Sequence, residues 1–226
     1  QWVATIGPFE ELVYLGVNFK DRILLFINKF FMLLSMKSSN MVIHESKYSL
    51  DLFLDKYKLN KNHQYLIECG KSDFFSNDLN RDFVKNECVA NIRSVDLLCV
   101  SHFYPYKNLE TLISGFNAFM SKNPDKSVKL VICGLQVFEA YYREIVLLAQ
   151  RSRYKNNIIF AGGVSRVDLR YAYSRCKFMI FPSLAESSGY TLIEALSCGT
   201  AIITSNLTAI PDTCGDAALY FDAFNG

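Results

Sequence analysis

Phe181-Pro182-Ser183-Leu184-Ala185-Glu186-Ser187-Ser188-Gly189-Tyr190-Thr191-Leu192-Ile193-Glu194-Ala195-Leu196-Ser197-Cys198-Gly199-Thr200 is the stretch from which the fold of this chain is read. An apolar run of strand length precedes it, Lys177-Phe178-Met179-Ile180-Phe181, and another follows, Ala201-Ile202-Ile203-Thr204. Between them lie a polar loop, a helix-forming run and a turn, which predicts a β–α–β unit.

Gly189 stands just ahead of the helical run, so the amides of Gly189, Tyr190, Thr191 and Leu192 fall at a helix start, where backbone N–H groups have no partner inside the helix. Those oriented amides and the helix dipole favour an anion such as phosphate, the dipole alone by ~0.3–1 kcal/mol at an exposed site. Glu186 and Glu194 flank this end of the helix, one on the strand side and one about a turn inside it.

Working outward, strand-length and helix-length patterns alternate from residue 95 onward. Strands are predicted at 96–101, 128–133, 157–161, 177–181, 201–204 and 217–221, and helices at 108–121, 137–152 and 166–174 besides the one after Gly189. Strands that are almost wholly apolar and alternate with helices imply a doubly wound parallel sheet of the α/β class, covered on both faces. Ligands of such sheets bind beyond the carboxyl ends of the strands. The loop 101–108 leaves the first of these ends, and its Lys107 is placed to neutralise a diphosphate at the Gly189 helix start. That loop contains no glycine, so the dinucleotide fingerprint is absent, which argues against a nicotinamide dehydrogenase.

Upstream, a helix is expected at 21–36, a short strand at 41–44, a helix at 46–57 with Ser46 as its N-cap, and a strand at 64–68. These make residues 1–70 a partial α/β domain, 71–93 a polar connection whose Phe residues dock it to a neighbour, and 94–226 the second domain. Gly7-Pro8 marks a turn. His44 and Glu45 end a strand of the first domain, His44 being read as a structural histidine ahead of a cleft-facing one.

Lys plus Arg number 24 against 22 Asp plus Glu, interspersed without a basic block, which argues against nucleic acid as a partner. Seven cysteines without a C-x-x-C pair read as reduced thiols of a cytoplasmic protein. The apolar stretch 23–36 carries Asn28 and Lys29 and is too short to span a bilayer. It reads first as a helix packed within a domain, with peripheral contact at the inner membrane surface as the alternative. Gln1 at the start and a turn-like 222–226 at the end suggest a piece of a longer protein.

Two glutamates with seven residues between them, in a strand–loop–helix setting, resemble the E-x(7)-E signature of glycosyltransferase family 4, whose members have the two-domain GT-B fold. The similarity extends to 197–206 and 211–218, and covers most of the chain from about Val95; Gly7-Pro8-Phe9-Glu10 is similar to a segment of the family's acceptor-side domain. The resemblance implies a retaining glycosyltransferase that moves a sugar from a nucleotide-sugar donor to a sugar or lipid-linked hydroxyl acceptor. It further implies that Lys107 holds the donor phosphates, that Glu194 accepts hydrogen bonds from the ribose, that Glu186 lies near the transferred sugar, and that Gly163 and Val164 bracket the base.

This sequence has His102 where a second cation often assists, so a phosphate-facing and a structural histidine both stand as readings. Ser187 and Ser188 depart from the family's commoner Glu-Gly-Phe-Gly and add hydroxyl donors, and Tyr190-Thr191 stand where Leu-Pro is frequent. No Asp-x-Asp pair or metal-spaced cluster is present, so no metal or other cofactor is expected. The rival readings are a non-catalytic nucleotide-sugar-binding domain and a GT-B epimerase or phosphorylase.

Overall fold

The protein was analysed as a computed structural model, which describes residues 2–3, 19–76 and 84–224. The turn and the family-like segment at Gly7-Pro8-Phe9-Glu10 lie outside the described residues, as do 77–83 of the polar connection and the last two residues.

Two parallel sheets organise the chain. The smaller has the order β1-β2-β3, built from β1 (Trp2–Val3), β2 (Val42–His44) and β3 (Gln64–Leu66), with α1 (Phe19–Ser38) and α2 (Lys47–Tyr57) between them. Ser46 caps α2 by accepting from the Ser49 amide at 3.2 Å, satisfying one of the four donors a helix start leaves open. The small core here joins Met36 of α1 to Val42, Phe53 and Leu59. His44 is buried, with its ring between Gln64 at 2.7 Å and Ser49 at 3.4 Å, which fits the structural reading. The opposite side of α1 leaves Phe26, Phe30, Phe31 and Leu34 exposed. Among the described residues, no helix is long and apolar enough to cross a membrane.

The connection is less of a linker than its polarity predicts. Asn86 caps a short helix, α3 (Glu87–Ala90), and Phe75, Val89 and Ile92 are buried in the core of the larger sheet. Asp168 fixes this return, its carboxylate accepting from the amides of Lys85 and Asn86, while Asn86 Nδ2 donates to the Ala161 carbonyl.

The larger sheet has the order β6-β5-β4-β7-β8-β9, every pairing parallel. In chain order its elements are β4 (Leu97–Val100), α4 (Leu109–Lys122), β5 (Leu130–Cys133), α5 (Glu139–Arg151), β6 (Ile158–Gly162), α6 (Arg166–Arg175), β7 (Phe178–Phe181), α7 (Tyr190–Ser197), β8 (Ile202–Ser205), α8 (Ile210–Cys214) and β9 (Ala218–Phe221). Because side chains alternate along a strand, β4 sends Leu98 and Val100 to one face and Leu97 and Cys99 to the other, and β5 divides Val131 and Cys133 from Leu130 and Ile132 in the same way. One face is covered by Ala172 and Tyr173 of α6 and Leu192 and Ala195 of α7. The other is covered by Leu109, Ile113 and Phe116 of α4 and Tyr141 and Ile145 of α5. The strands are therefore apolar on both sides, which is why they read as unbroken runs rather than alternating ones.

The chain steps outward from β4 to β6, returns to lay β7 beside β4, and steps outward the other way to β9. The reversal falls between β4 and β7, so the loops leaving these two strands diverge and open a crevice at their carboxyl ends.

Candidate active site

The loops 101–108 and 182–189 flank that crevice and are fastened to each other. The Leu184 amide donates to the Tyr106 carbonyl at 2.8 Å, and Asn108 Nδ2 donates to the carbonyls of Pro182 at 3.3 Å and Ala223 at 3.2 Å. Asn108 takes a left-handed conformation (φ 53°) that ends the turn Pro105–Lys107 and starts α4. Lys107 is thereby held with its ammonium in an ion pair with Glu186, both side chains largely buried. The ammonium also lies 5.1 Å from the Tyr106 ring and 5.3 Å from the Phe181 ring, within cation–π range.

The strand-to-helix loop is built as an open helix start. Gly189 (φ 69°, ψ 53°) precedes α7 without a side-chain cap, and a Cβ there would meet Leu192 Cδ1 at 2.9 Å in a conformation L side chains rarely adopt. The Leu192 amide donates to the Gly189 carbonyl at 2.9 Å and its side chain is core, so the free amides of this start are the ones before Leu192.

A cavity of about 460 Å³ opens at this point, and His102, Lys107, Gly163, Val164 and Thr191 all line it. Two glycines let its walls come close: a Cβ on Gly134 would come within 1.9 Å of the Ser101 carbonyl oxygen, and one on Gly163 within 2.5 Å of the Leu135 side chain. His102 Nδ1 accepts from the Leu135 amide at 3.0 Å, which selects the tautomer with its proton on Nε2. This histidine thus ties the loop after β4 to the loop after β5 and keeps one N–H donor.

Glu194 lies three residues beyond Thr191 on the same side of α7. It is half-buried and accepts from the Tyr173 hydroxyl at 3.2 Å. Burial pushes its carboxyl above the usual carboxylate range, against the Tyr173 hydrogen bond and the Arg166 charge. Ser188 faces the other way: its buried hydroxyl lines a second cavity, of about 480 Å³, and has no hydrogen-bond partner. Glu45, Glu68, Cys69 and Lys71 of the smaller sheet's side line that cavity opposite Ile193, Asp212 and Thr213. Tyr190 reaches across toward Cys69 and Glu45, and hydrogen bonding to Cys69, followed by burial, pushes its phenol up to about 12.

A hollow of about 1030 Å³ lies elsewhere, between α4 and the strands β7 to β9, and is walled by Phe116, Phe119, Phe178, Ile180 and Phe221. Its apolar walls suit packing and not a charged ligand. Among the described residues no group of three or more His, Cys, Asp or Glu is arranged to hold a metal ion.

The sequence reading missed Tyr173, Gly134 and Asp212. Tyr173 reads as one more helix aromatic, Gly134 as an ordinary turn glycine, and Asp212 only as part of a matching segment. No local pattern distinguishes them.

The profile of the family described as Glycosyl transferases group 1 matches residues 81–224. The chain is 29% identical over 144 residues to O-antigen chain mannosyltransferase B of Escherichia coli, covering 60% of this chain and 36% of that protein. It is 25% identical over 197 residues to mannosylfructose-phosphate synthase of Agrobacterium fabrum, covering 84% and 42%. Among solved structures it superposes on HepE of Anabaena in complex with UDP-glucose with a TM-score of 0.70 at 17% identity, over 84% of this chain and 51% of that one. The chain thus spans less than half the length of these two curated relatives, and its fold is of the GT-B type.

Proposed function

The chain belongs to the glycosyl transferases group 1 family, and on that premise we propose that it carries the donor-binding half of an enzyme moving a sugar from a nucleotide-sugar donor to a hydroxyl acceptor. The observation that carries this reading is the meeting of Lys107 and Glu186 at the point where the strand order reverses, beside an uncapped helix start and over a 460 Å³ cavity. In this reading Lys107 and the amides of Gly189, Tyr190 and Thr191 hold the diphosphate. They favour the charge it gains as the bond from its oxygen to the anomeric carbon breaks, and water-excluded donors aimed at developing charge are the strongest electrostatic aid a site offers. Glu194, its carboxylate oriented by Tyr173, accepts from the ribose hydroxyls, and Gly163 and Val164 border the base. Glu186 lies beside the transferred sugar, where its charge favours positive charge developing at the anomeric carbon. Gly134 and His102 keep the two loops that wall the cavity in register.

The reading extends to transfer with retention and without a divalent cation, the ammonium and the helix start supplying the charge compensation. Seven free thiols support work in a reducing compartment such as the cytoplasm, with a sugar or lipid-linked acceptor. The names of two relatives point to a nucleotide-linked mannose as a donor to try, with UDP and GDP as the carriers to compare, and the HepE complex to UDP-glucose. The test is incubation of the full-length protein with each nucleotide sugar, with and without a chelator, followed by chromatography of the products. Release of nucleoside diphosphate at an unchanged rate in chelator is expected. Binding of a nucleotide sugar with neither transfer nor hydrolysis would leave only a binding domain, and release abolished by chelator would remove the metal-free reading.

A further inference from the structure

The second cavity separates the two sheets, and besides the Tyr190 contact with Cys69 a backbone-to-carboxylate hydrogen bond crosses beside it. Asp212 of α8 accepts from the Tyr48 amide, in the first turn of α2, at 2.6 Å. α2 has no acid in its own first turn, so the carboxylate complementing that helix start comes from the other sheet's side. The residues around Asp212 hold the loop that carries Glu186. Thr208, just before α8 and itself left-handed (φ 54°), accepts the Glu186 amide on its hydroxyl at 2.9 Å, and Thr213 donates its hydroxyl to the Ser188 carbonyl. One five-residue helix with its leading turn therefore touches α2 on one side and both flanks of Ser187 on the other.

We propose that Asp212 is a positioning residue that couples the approach of α2 to the placement of Glu186. When the two lobes close, Asp212 meets the α2 start, α8 is fixed, and Thr208 and Thr213 set the 186–188 backbone so that the Glu186 carboxylate holds its place at the sugar. When they part, α8 loses that anchor and the loop relaxes. This rests on the reading that Glu186 faces the transferred sugar. The groups proposed to hold the nucleoside diphosphate are all in the larger lobe, so binding and turnover separate. Asp212 is exposed, and replacing it leaves the core untouched.

The experiment compares the parent, Asp212→Ala and Asp212→Asn as full-length proteins by hydrogen exchange, by calorimetry with UDP and GDP, and by steady-state transfer. In Asp212→Ala, exchange is expected to quicken at 46–50 and at 186–188 together and kcat to fall about tenfold, while the affinity for the diphosphate that binds stays within about twofold. Asp212→Asn keeps an oxygen acceptor and recovers part of both effects. Faster exchange at 46–50 alone, or unchanged kcat, overturns the coupling. If the parent transfers no sugar, the function reading fails by itself, and the paired exchange change still decides whether α8 couples α2 to the 186 loop.

Discussion

The two sheets differ in how completely their own elements cover them. The larger has six strands with a core cluster on each face, and the loops leaving its central strands are tied together by hydrogen bonds. Among the described residues the smaller has three strands of two or three residues, one small core cluster, and a helix whose Phe26, Phe30 and Phe31 face outward. Precise chemistry needs side chains held by packed surroundings, and among the described residues the larger sheet supplies far more of that. Lys107, Gly163, Val164 and Thr191 accordingly gather there, whereas the smaller sheet contributes a few polar contacts across a cavity.

The contrast is broken most severely from inside the core. Leu98→Ala, at a fully buried position of a central strand, is expected to destabilise the protein by about 2–5 kcal/mol in denaturant unfolding. Phe30→Ser on the exposed side of α1 is expected to change it by no more than about 0.5 kcal/mol and to leave nucleoside diphosphate affinity unaltered. A comparable loss from both would mean that the smaller lobe is packed as tightly as the larger.

Acid should reach the larger lobe through two buried carboxylates. Burial alone would raise Asp96, but hydrogen bonds from Arg93 and the Lys129 amide hold it below the usual carboxylate range; Asp168 is held low in the same way by Ser165 and the amides of Lys85 and Asn86. A folded pKa below the unfolded value of about 3.9 gives stability that is present above that value and lost as pH falls through the folded one. Unfolding free energy measured from pH 7 down to pH 3 should therefore drop below about pH 4, and Asp168→Asn should flatten the drop. A profile that Asp168→Asn leaves unchanged would show that this carboxylate carries none of it.

A smaller effect sharpens the assignment of Glu194. Tyr173→Phe removes the donor at 3.2 Å and should weaken nucleoside diphosphate binding by about two- to tenfold. Since that hydrogen bond lowers the Glu194 pKa, the pH at which binding falls off in acid should move upward. Calorimetry across pH 5 to 8 checks both, and an unaltered acid limb would detach Glu194 from the ribose.

What the sequence disclosed follows the same division. The strands of the larger sheet are legible because burial on both faces forces them to be apolar throughout, and the loop from Glu186 to Gly189 is legible because a left-handed helix start with Leu192 packed close against it favours glycine. The helix α8 is not: five residues opening on Ala209-Ile210-Pro211 are too short to show a period. Phe75, Val89 and Ile92 sit in a polar stretch whose charged neighbours mask their burial in the core. Partners distant in sequence, such as Tyr173 with Glu194, Leu135 with His102 and Asp212 with Tyr48, depend on packing that no local pattern encodes.

The central claim is that an ammonium at the β4 loop and the amides opening α7 grip a diphosphate together. Calorimetric titration of UDP and GDP into the parent and Lys107→Ala tests it directly, because removing the cation also leaves Glu186 facing the anion uncompensated. A charged hydrogen bond of about 1.5–3 kcal/mol predicts affinity about 10- to 150-fold weaker in Lys107→Ala. Equal affinities in the two proteins would contradict the account.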